Sequence, residues 1–372
     1  MSANDMGRPL DPPARPRNRT LDIVRGLGIL LVVLGHNLWV AEGHGPLFRW
    51  IFSFHVPLFF FLSGVLFRPT QSVGTLVLQR ADSLLKPYLV LLLALGVIRM
   101  ANGSASPPVY LVGVLYGTGG TIALAPLWFL PHLFAVTLVC WLVLRALETL
   151  PCPRYLLPGL LVAMLVGGYR ILPCFWNQPL TRFGGPERLL GREVILPGLP
   201  FSLDLVPITA AFFLAGSLLR ESVLGFAPRL LPALIATGLL VGLQWTLGLT
   251  MDLNLRRYDS LLICTVQAIA GVYLTFTLAW LIDRGNWLAS ALAGIGSASL
   301  VVLLFHEAIQ NETYVRLRAL LPVWPWIPAL LAFCLAVGVS LLLWHQARRQ
   351  QWLGRLLLPW QASSPPVHKL PS

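Results

Sequence analysis

Charge is what this chain of 372 residues has least of. Asp, Glu, Lys and Arg together make up 11% of it, where soluble domains carry about 25%. With 56% hydrophobic residues and a mean hydropathy of +0.73, that scarcity excludes a large soluble core. Lysine is nearly missing, Lys86 and Lys369 being the only two. The net charge of +12 is therefore almost entirely arginine, scattered between apolar runs. Scattered in that way, basic residues orient membrane helices, and no nucleic-acid partner is expected. The five cysteines (Cys140, Cys152, Cys174, Cys264, Cys334) show no metal-ligand spacing. They read as small buried residues, with neither a disulfide framework nor a metal site implied. The polar, Pro- and Arg-rich first twenty residues lack a small-residue cleavage site, so the first apolar helix is expected to stay as an anchor. No internal repeat stands out, which argues against an inverted-repeat transporter.

What is present is a series of apolar stretches, each able to span about 30 Å of hydrocarbon at about 1.5 Å per residue. They fall near 21–41, 48–67, 84–101, 126–147, 155–173, 204–220, 229–249, 259–282, 288–308 and 322–345. The expected fold is an all-α polytopic membrane protein, a bundle of about ten transmembrane helices. With the N-terminus cytoplasmic, inner segments hold 16 of the 27 Lys and Arg residues and outer loops hold 8. That bias places both termini in the cytoplasm.

Within the first stretch, Thr20 to His36, lie two ionisable groups, Arg25 and His36. Such groups are expensive in hydrocarbon and are usually kept for function. Eleven residues at about 100° each end only about 20° from the start, so the two share a helix face about 16 Å apart in height. Asp22 shares that face and is placed to pair with Arg25. The bland alternatives are an Arg25 that snorkels to phosphates and a His36 that bonds a neighbouring helix. In the second stretch, Phe52-Ser-Phe-His-Val-Pro-Leu-Phe-Phe-Phe-Leu-Ser-Gly64, Pro57 is expected to break the helix just after His55 and turn the imidazole inward. Ser63-Gly64 reads as a site of close helix packing. His36, His55, His132 and His306 gather in the outer half of the bundle. Arg25, Arg80 and Lys86 gather at its inner side, and Asp204 and Asp259 begin the sixth and eighth spans outside.

Arg25 and His36 with ten residues between them, then Phe54-His-Val-Pro-Leu-Phe-Phe-Phe-Leu-Ser-Gly64, then Arg80 and Lys86-Pro87-Tyr88, resemble the membrane-bound acyltransferase-3 family. The likeness is closest to its fucose-4-O-acetylase-like and exopolysaccharide O-acetyltransferase branch. Leu127-Trp128-Phe129-Leu130 adds to it, and the specific motifs cover roughly residues 20–135. The resemblance implies a tail at 1–19, a catalytic membrane domain at 20–347 and a basic cytoplasmic tail at 348–372. It implies transfer of an acyl group, most simply acetyl from acetyl-CoA, to a hydroxyl of a surface or exported polysaccharide or its lipid-linked precursor. His36 and Arg25 would be catalytic, with His55 beside them, and no metal would be needed. Arg80, Lys86 and Arg25 would hold the donor phosphates, Lys86 less bidentately than the arginine many members carry there. Trp128, His132, His306 and Glu307 are candidates for contact with the acceptor or the thioester carbonyl.

The implied setting is a bacterial inner membrane, with membrane lipids, a glycan or lipid-linked oligosaccharide and polysaccharide biosynthesis machinery as partners. Some members append an extracytoplasmic esterase-like domain, absent from this sequence, so transfer is expected to finish within the bundle. A transmembrane acyl carrier serving a separate transferase, and a transporter of lipid-linked sugars, are the rival readings. Bland readings stand beside several residues. Asp204 caps its span, Asp259 pairs with Arg256 or Arg257, His306-Glu307 closes a helix at the outer surface, and His345 to Arg355 meets anionic headgroups. The Pro173–Pro200 loop, with Arg182, Glu187, Arg188, Arg192 and Glu193, either covers the outer mouth or is an ordinary solvated loop.

Overall fold

Long apolar runs in hydrocarbon leave backbone N–H and C=O groups no partner but one another, so these segments fold as helices. The computed structural model describes residues 18–149, 156–175, 188–189, 192–193, 198–285 and 287–360. Cys152, Arg182 and Glu187 lie outside them. The described helices are α1 (Arg19–Gly35), α2 (Leu38–Ala41), α3 (Pro46–Phe52), α4 (His55–Leu66), α5 (Val73–Arg80), α6 (Lys86–Ala101), α7 (Pro107–Tyr116) and α8 (Phe129–Thr149). They continue as α9 (Leu156–Ile171), α10 (Val206–Leu218), α11 (Arg220–Leu224), α12 (Leu230–Leu247), α13 (Leu261–Asp283), α14 (Trp287–Ser297), α15 (Ser299–Leu320), α16 (Trp326–Arg349) and α17 (Gln351–Leu357). Among the described residues strands are confined to two antiparallel ladders, Arg188–Leu189 with Arg192–Glu193 and Met251–Asp252 with Arg257–Tyr258.

Among the described residues eight helical segments are long and apolar enough to cross a membrane, and up to ten if each of two bent pairs is one span. The bent pairs depart from the expectation of continuous helices. One bends by 69° between Arg19–Gly35 and Leu38–His44, at His36 itself. The other bends by 79° between α14 and α15. The ninth span is therefore not one helix over 288–308, and its break falls at Ala298, where three small residues (Ser297, Ala298, Ser299) meet. Beyond it α15 meets no Gly or Pro before Pro322 and runs on to Leu320, which puts His306 in mid-helix rather than at a helix end.

The break near His55 also sits elsewhere than expected. It lies at Ser53 and Phe54, before the histidine, and Pro57 occupies the first turn of α4. The physical reason is that a proline denies a partner to the carbonyl four residues earlier, here Ser53, but is harmless in a first turn. A similar effect shapes the third span. Pro87 follows a π-helical turn, Ala81–Leu85, that joins α5 to α6.

Small residues set the closest crossings. Gly64 on α4 lies against the backbone of Phe213 on α10, and Gly216 on α10 lies against the backbone of Phe61 on α4. Gly26 and Gly296 do the same for α1 and α14, meeting Leu292 and Asp22. At each place a side chain would drive the backbones apart, so these pairs fix which helices flank α1 and α4.

Candidate active site

α1, α4, α5, α8, α15 and α16 enclose a cavity of about 650 Å³. One end is lined by Arg25, Arg80 and Arg348 with the backbone segment Leu358–Pro359, and the other end holds His36 and His55. Between them the wall is mainly apolar, with Ile29, Val32, Phe59, Leu62, Leu300 and Leu303, and the hydroxyls of Thr137, Ser297 and Ser299 also belong to the lining. Ser63 and Trp128 also face the space.

At the arginine end, Arg25 Nη1 lies 3.3 Å from Asp22 Oδ1, the pairing expected three residues apart. Arg80 stands over the Phe67 ring at 5.8 Å, and among the described residues no carboxylate pairs with it. Arg348 stands over Trp344 at 4.9 Å. Its place in the cavity wall was not apparent from the sequence, where it reads as one of several basic residues near a helix end. Lys86 does not line the cavity. Its Nζ donates to Asp82 Oδ1 at 2.6 Å and to the Leu358 carbonyl at 2.8 Å.

The histidine end is built on the bend that closes α1. His36 follows the last residue of α1, its N–H bonded to Val32 at 3.0 Å. The Val33 carbonyl instead accepts from Gln310 Nε2 at 3.1 Å. Asn37 donates to the Ala329 carbonyl at 2.9 Å and caps α2 through Trp39 N–H at 3.2 Å. Around the His36 ring stand His306, with centroids 5.7 Å apart, and Phe52, at 5.9 Å. Phe52 also packs edge-on against His55 at 4.6 Å.

The hydrogen bonds fix two tautomers. His55 Nδ1 sits 2.9 Å from the Ile51 carbonyl, and His306 Nδ1 sits 3.0 Å from the carbonyls of both Val302 and Leu303. A carbonyl only accepts, so Nδ1 carries the proton in each ring and a neutral ring keeps its lone pair at Nε2. His306 Nε2 is buried without a partner. His36 has no side-chain hydrogen bond among the described residues, so its nitrogens are available to a substrate.

His306 stands behind His36 and does not itself line the cavity, and two further candidates also lie outside the lining. His132 is fully buried, its Nδ1 donating to the Phe201 carbonyl at 2.9 Å and its Nε2 meeting Thr209 Oγ1 at 3.0 Å. Both nitrogens are engaged, and the ring lies against Trp128 at 5.3 Å. Glu307 follows His306 on α15, and its Oε2 is buried without a hydrogen-bond partner among the described residues. Outside this region Asp204 does not cap α10, whose N-cap is Leu205 without a side-chain bond; its Oδ1 accepts from Leu199 N–H at 2.8 Å. It forms a bidentate pair with Arg256 at 2.9 and 3.1 Å, both side chains buried. Asp259 pairs locally with Arg257 at 2.7 Å, as its spacing suggests.

The acyltransferase-3 family model, described as an acyltransferase domain, matches residues 18–345. Nodulation protein NolL of Sinorhizobium fredii is 39% identical over 90 residues, covering 20% of this chain and 24% of that protein. The match thus spans about a quarter of the relative's length. No solved structure gives a significant match.

Proposed function

Taking as premise that the chain belongs to the acyltransferase-3 family, we propose that it moves an acyl group, most simply acetyl, from cytoplasmic acyl-CoA to a glycan hydroxyl across the membrane. The acceptor in this reading is a surface or exported polysaccharide or its lipid-linked precursor. The observation that carries it is one cavity with guanidinium groups at one end, an apolar middle and imidazoles at the other. The excess of Lys and Arg on inner segments puts the arginine end in the cytoplasm. The bacterial inner membrane is the setting that fits.

Arg25, Arg80 and Arg348 supply the planar donors that bind phosphate bidentately, which suits the charged head of acyl-CoA. The apolar middle accommodates the neutral arm bearing the thioester. At the far end the hydroxyl oxygen attacks the thioester carbonyl, forming the C–O bond of the ester as the C–S bond breaks. His36 takes the hydroxyl proton and returns it to the departing thiolate, so charge and protons balance. General-base help of this kind is worth about 10²–10⁴ in rate. His55 and His306, as neutral rings with Nε2 bare, accept a hydrogen bond from the acceptor hydroxyl or from His36 without competing to donate. Ser63 and Trp128 line the same cavity and offer donors for the carbonyl oxygen.

Proton NMR of surface and secreted polysaccharide provides the test, in a deletion strain carrying wild type or His36→Ala. An O-acetyl signal lost on deletion and restored only by wild type supports the reading. Restoration by the alanine variant removes His36 from the chemistry, and an unchanged glycan turns attention to transport or another acyl group. Acetylation of a glycan by the purified chain alone separates a transferase from an acyl carrier.

A further inference from the structure

Lys86 and Asp82 belong to one π-helical turn and its exit, and both spend their charge on the backbone of a segment nearly 280 residues away. Helix α17 ends at Leu357, which leaves its last carbonyls without partners inside the helix. Lys86 Nζ satisfies the Leu358 carbonyl at 2.8 Å, a cation at a helix C-terminus. Asp82 Oδ1 receives the same ammonium at 2.6 Å, and its Oδ2 accepts from Trp360 N–H at 2.7 Å. Between these two anchor points Leu358 and Pro359 form part of the cavity wall, together with Arg80 and Leu84. Leu357 and Leu358 are buried, while Trp352 and Trp360 are exposed.

We propose that Asp82 and Lys86 form a latch that holds the strap Gln351–Trp360 as a wall of the donor end of the cavity. Both are positioning residues that act on donor binding through the strap, without touching the donor. The word donor rests on the acyl-CoA reading above; the latch itself does not. A carboxylate beside the donor phosphates would repel them, so a Lys86 that anchored phosphate directly would bind it better once Asp82 lost its charge. A latch behaves in the opposite way, because removing either partner releases the strap.

The test uses the full-length protein in lipid nanodiscs, as wild type, Asp82→Asn, Lys86→Met, the double variant and Asp82→Glu. Hydrogen–deuterium exchange of the 351–360 peptides is expected to quicken about fivefold in Asp82→Asn and in Lys86→Met, the range for a partly exposed charged pair. KM for acyl-CoA is expected to rise by about the same factor with kcat nearly unchanged, the double variant no worse than either single one. Asp82→Glu is expected to restore both readouts. Unchanged strap exchange in Asp82→Asn and Lys86→Met overturns the latch whatever the substrate proves to be. A lower KM in Asp82→Asn overturns it in favour of direct phosphate contact by Lys86. Faster strap exchange with an unaltered KM overturns the strap's role as a cavity wall. A wild-type protein that does not use acyl-CoA defeats the proposed function, while the exchange result still decides the latch.

Discussion

Gln310 donates its side-chain amide to the carbonyl of Val33, three residues ahead of His36. That carbonyl lies where α1 stops, and its usual partner, the N–H of Asn37, has turned to Leu34 instead. The buried amide on α15 therefore stitches the frayed end of α1 and holds the bend that presents the His36 ring.

Gln310→Met, similar in length and without the donor, leaves a buried carbonyl unpaired at a cost of about 1–3 kcal/mol. We expect a lower melting temperature and a kcat reduced about tenfold, since small misplacements of a base are costly. KM for the donor is expected to hold. Thermal melting beside steady-state kinetics checks all three, and an unaltered kcat would detach Gln310 from the placement of His36.

His36 and His132 are expected to separate cleanly. His36→Ala removes a ring with no hydrogen bond to lose, so the variant folds and its activity drops by about 10²–10⁴. His132→Ala strands the Phe201 carbonyl, while the Thr209 hydroxyl keeps the Leu205 carbonyl at 3.0 Å. Its cost falls on stability, about 1–3 kcal/mol. Activity per folded molecule, normalised by size-exclusion chromatography, distinguishes the two. A strongly reduced specific activity in folded His132→Ala would bring that residue into the chemistry.

Arg80→Ala and Arg348→Ala are expected to weaken donor affinity by about tenfold each, the range of one charge-assisted hydrogen bond. Arg80→Lys recovers only part, because an ammonium cannot make the two-pronged contact. Isothermal titration with a non-hydrolysable acyl-CoA analogue reads this directly. Equal affinities for wild type and both alanine variants would move the phosphate site away from these arginines.

The Asp204–Arg256 pair is predicted to behave as a buried ion pair. Asp204→Asn leaves the Arg256 charge buried without a counter-charge, at about 3–5 kcal/mol. Replacing both, Asp204→Leu with Arg256→Met, is expected to be milder than the single change. Melting temperatures of the three proteins decide it, and a milder single variant would contradict the assignment.

How much of this was written in local sequence can be argued residue by residue. The shared face of Arg25 and His36 and the Asp22–Arg25 pair follow from helical periodicity, and Asp259–Arg257 follows from proximity along the chain. The meeting of α4 and α10 at Gly64 and Gly216 was half legible, because a Ser-Gly step marks a close approach without naming its partner. Arg348, Gln310 and the Asp82–Lys86 latch were not legible. Gln310 and the latch act on segments 272 to 278 residues away and Arg348 on a shared cavity, and periodicity does not say which helices face one another. The breaks at Phe54 and Ala298 were misplaced or missed for another reason. A proline acts on the carbonyl four residues behind it, and a run of small residues carries no direction.

A membrane that holds an ion gradient loses it through any wet passage. The stretch of cavity walled by Ile29, Val32, Phe59, Leu62, Leu300 and Leu303 offers water almost nothing to bond to. Apolar linings hold water and ions weakly. In the proposed reading, the lining that would receive an uncharged acyl arm would also act as electrical insulation beside the titratable ring at its end.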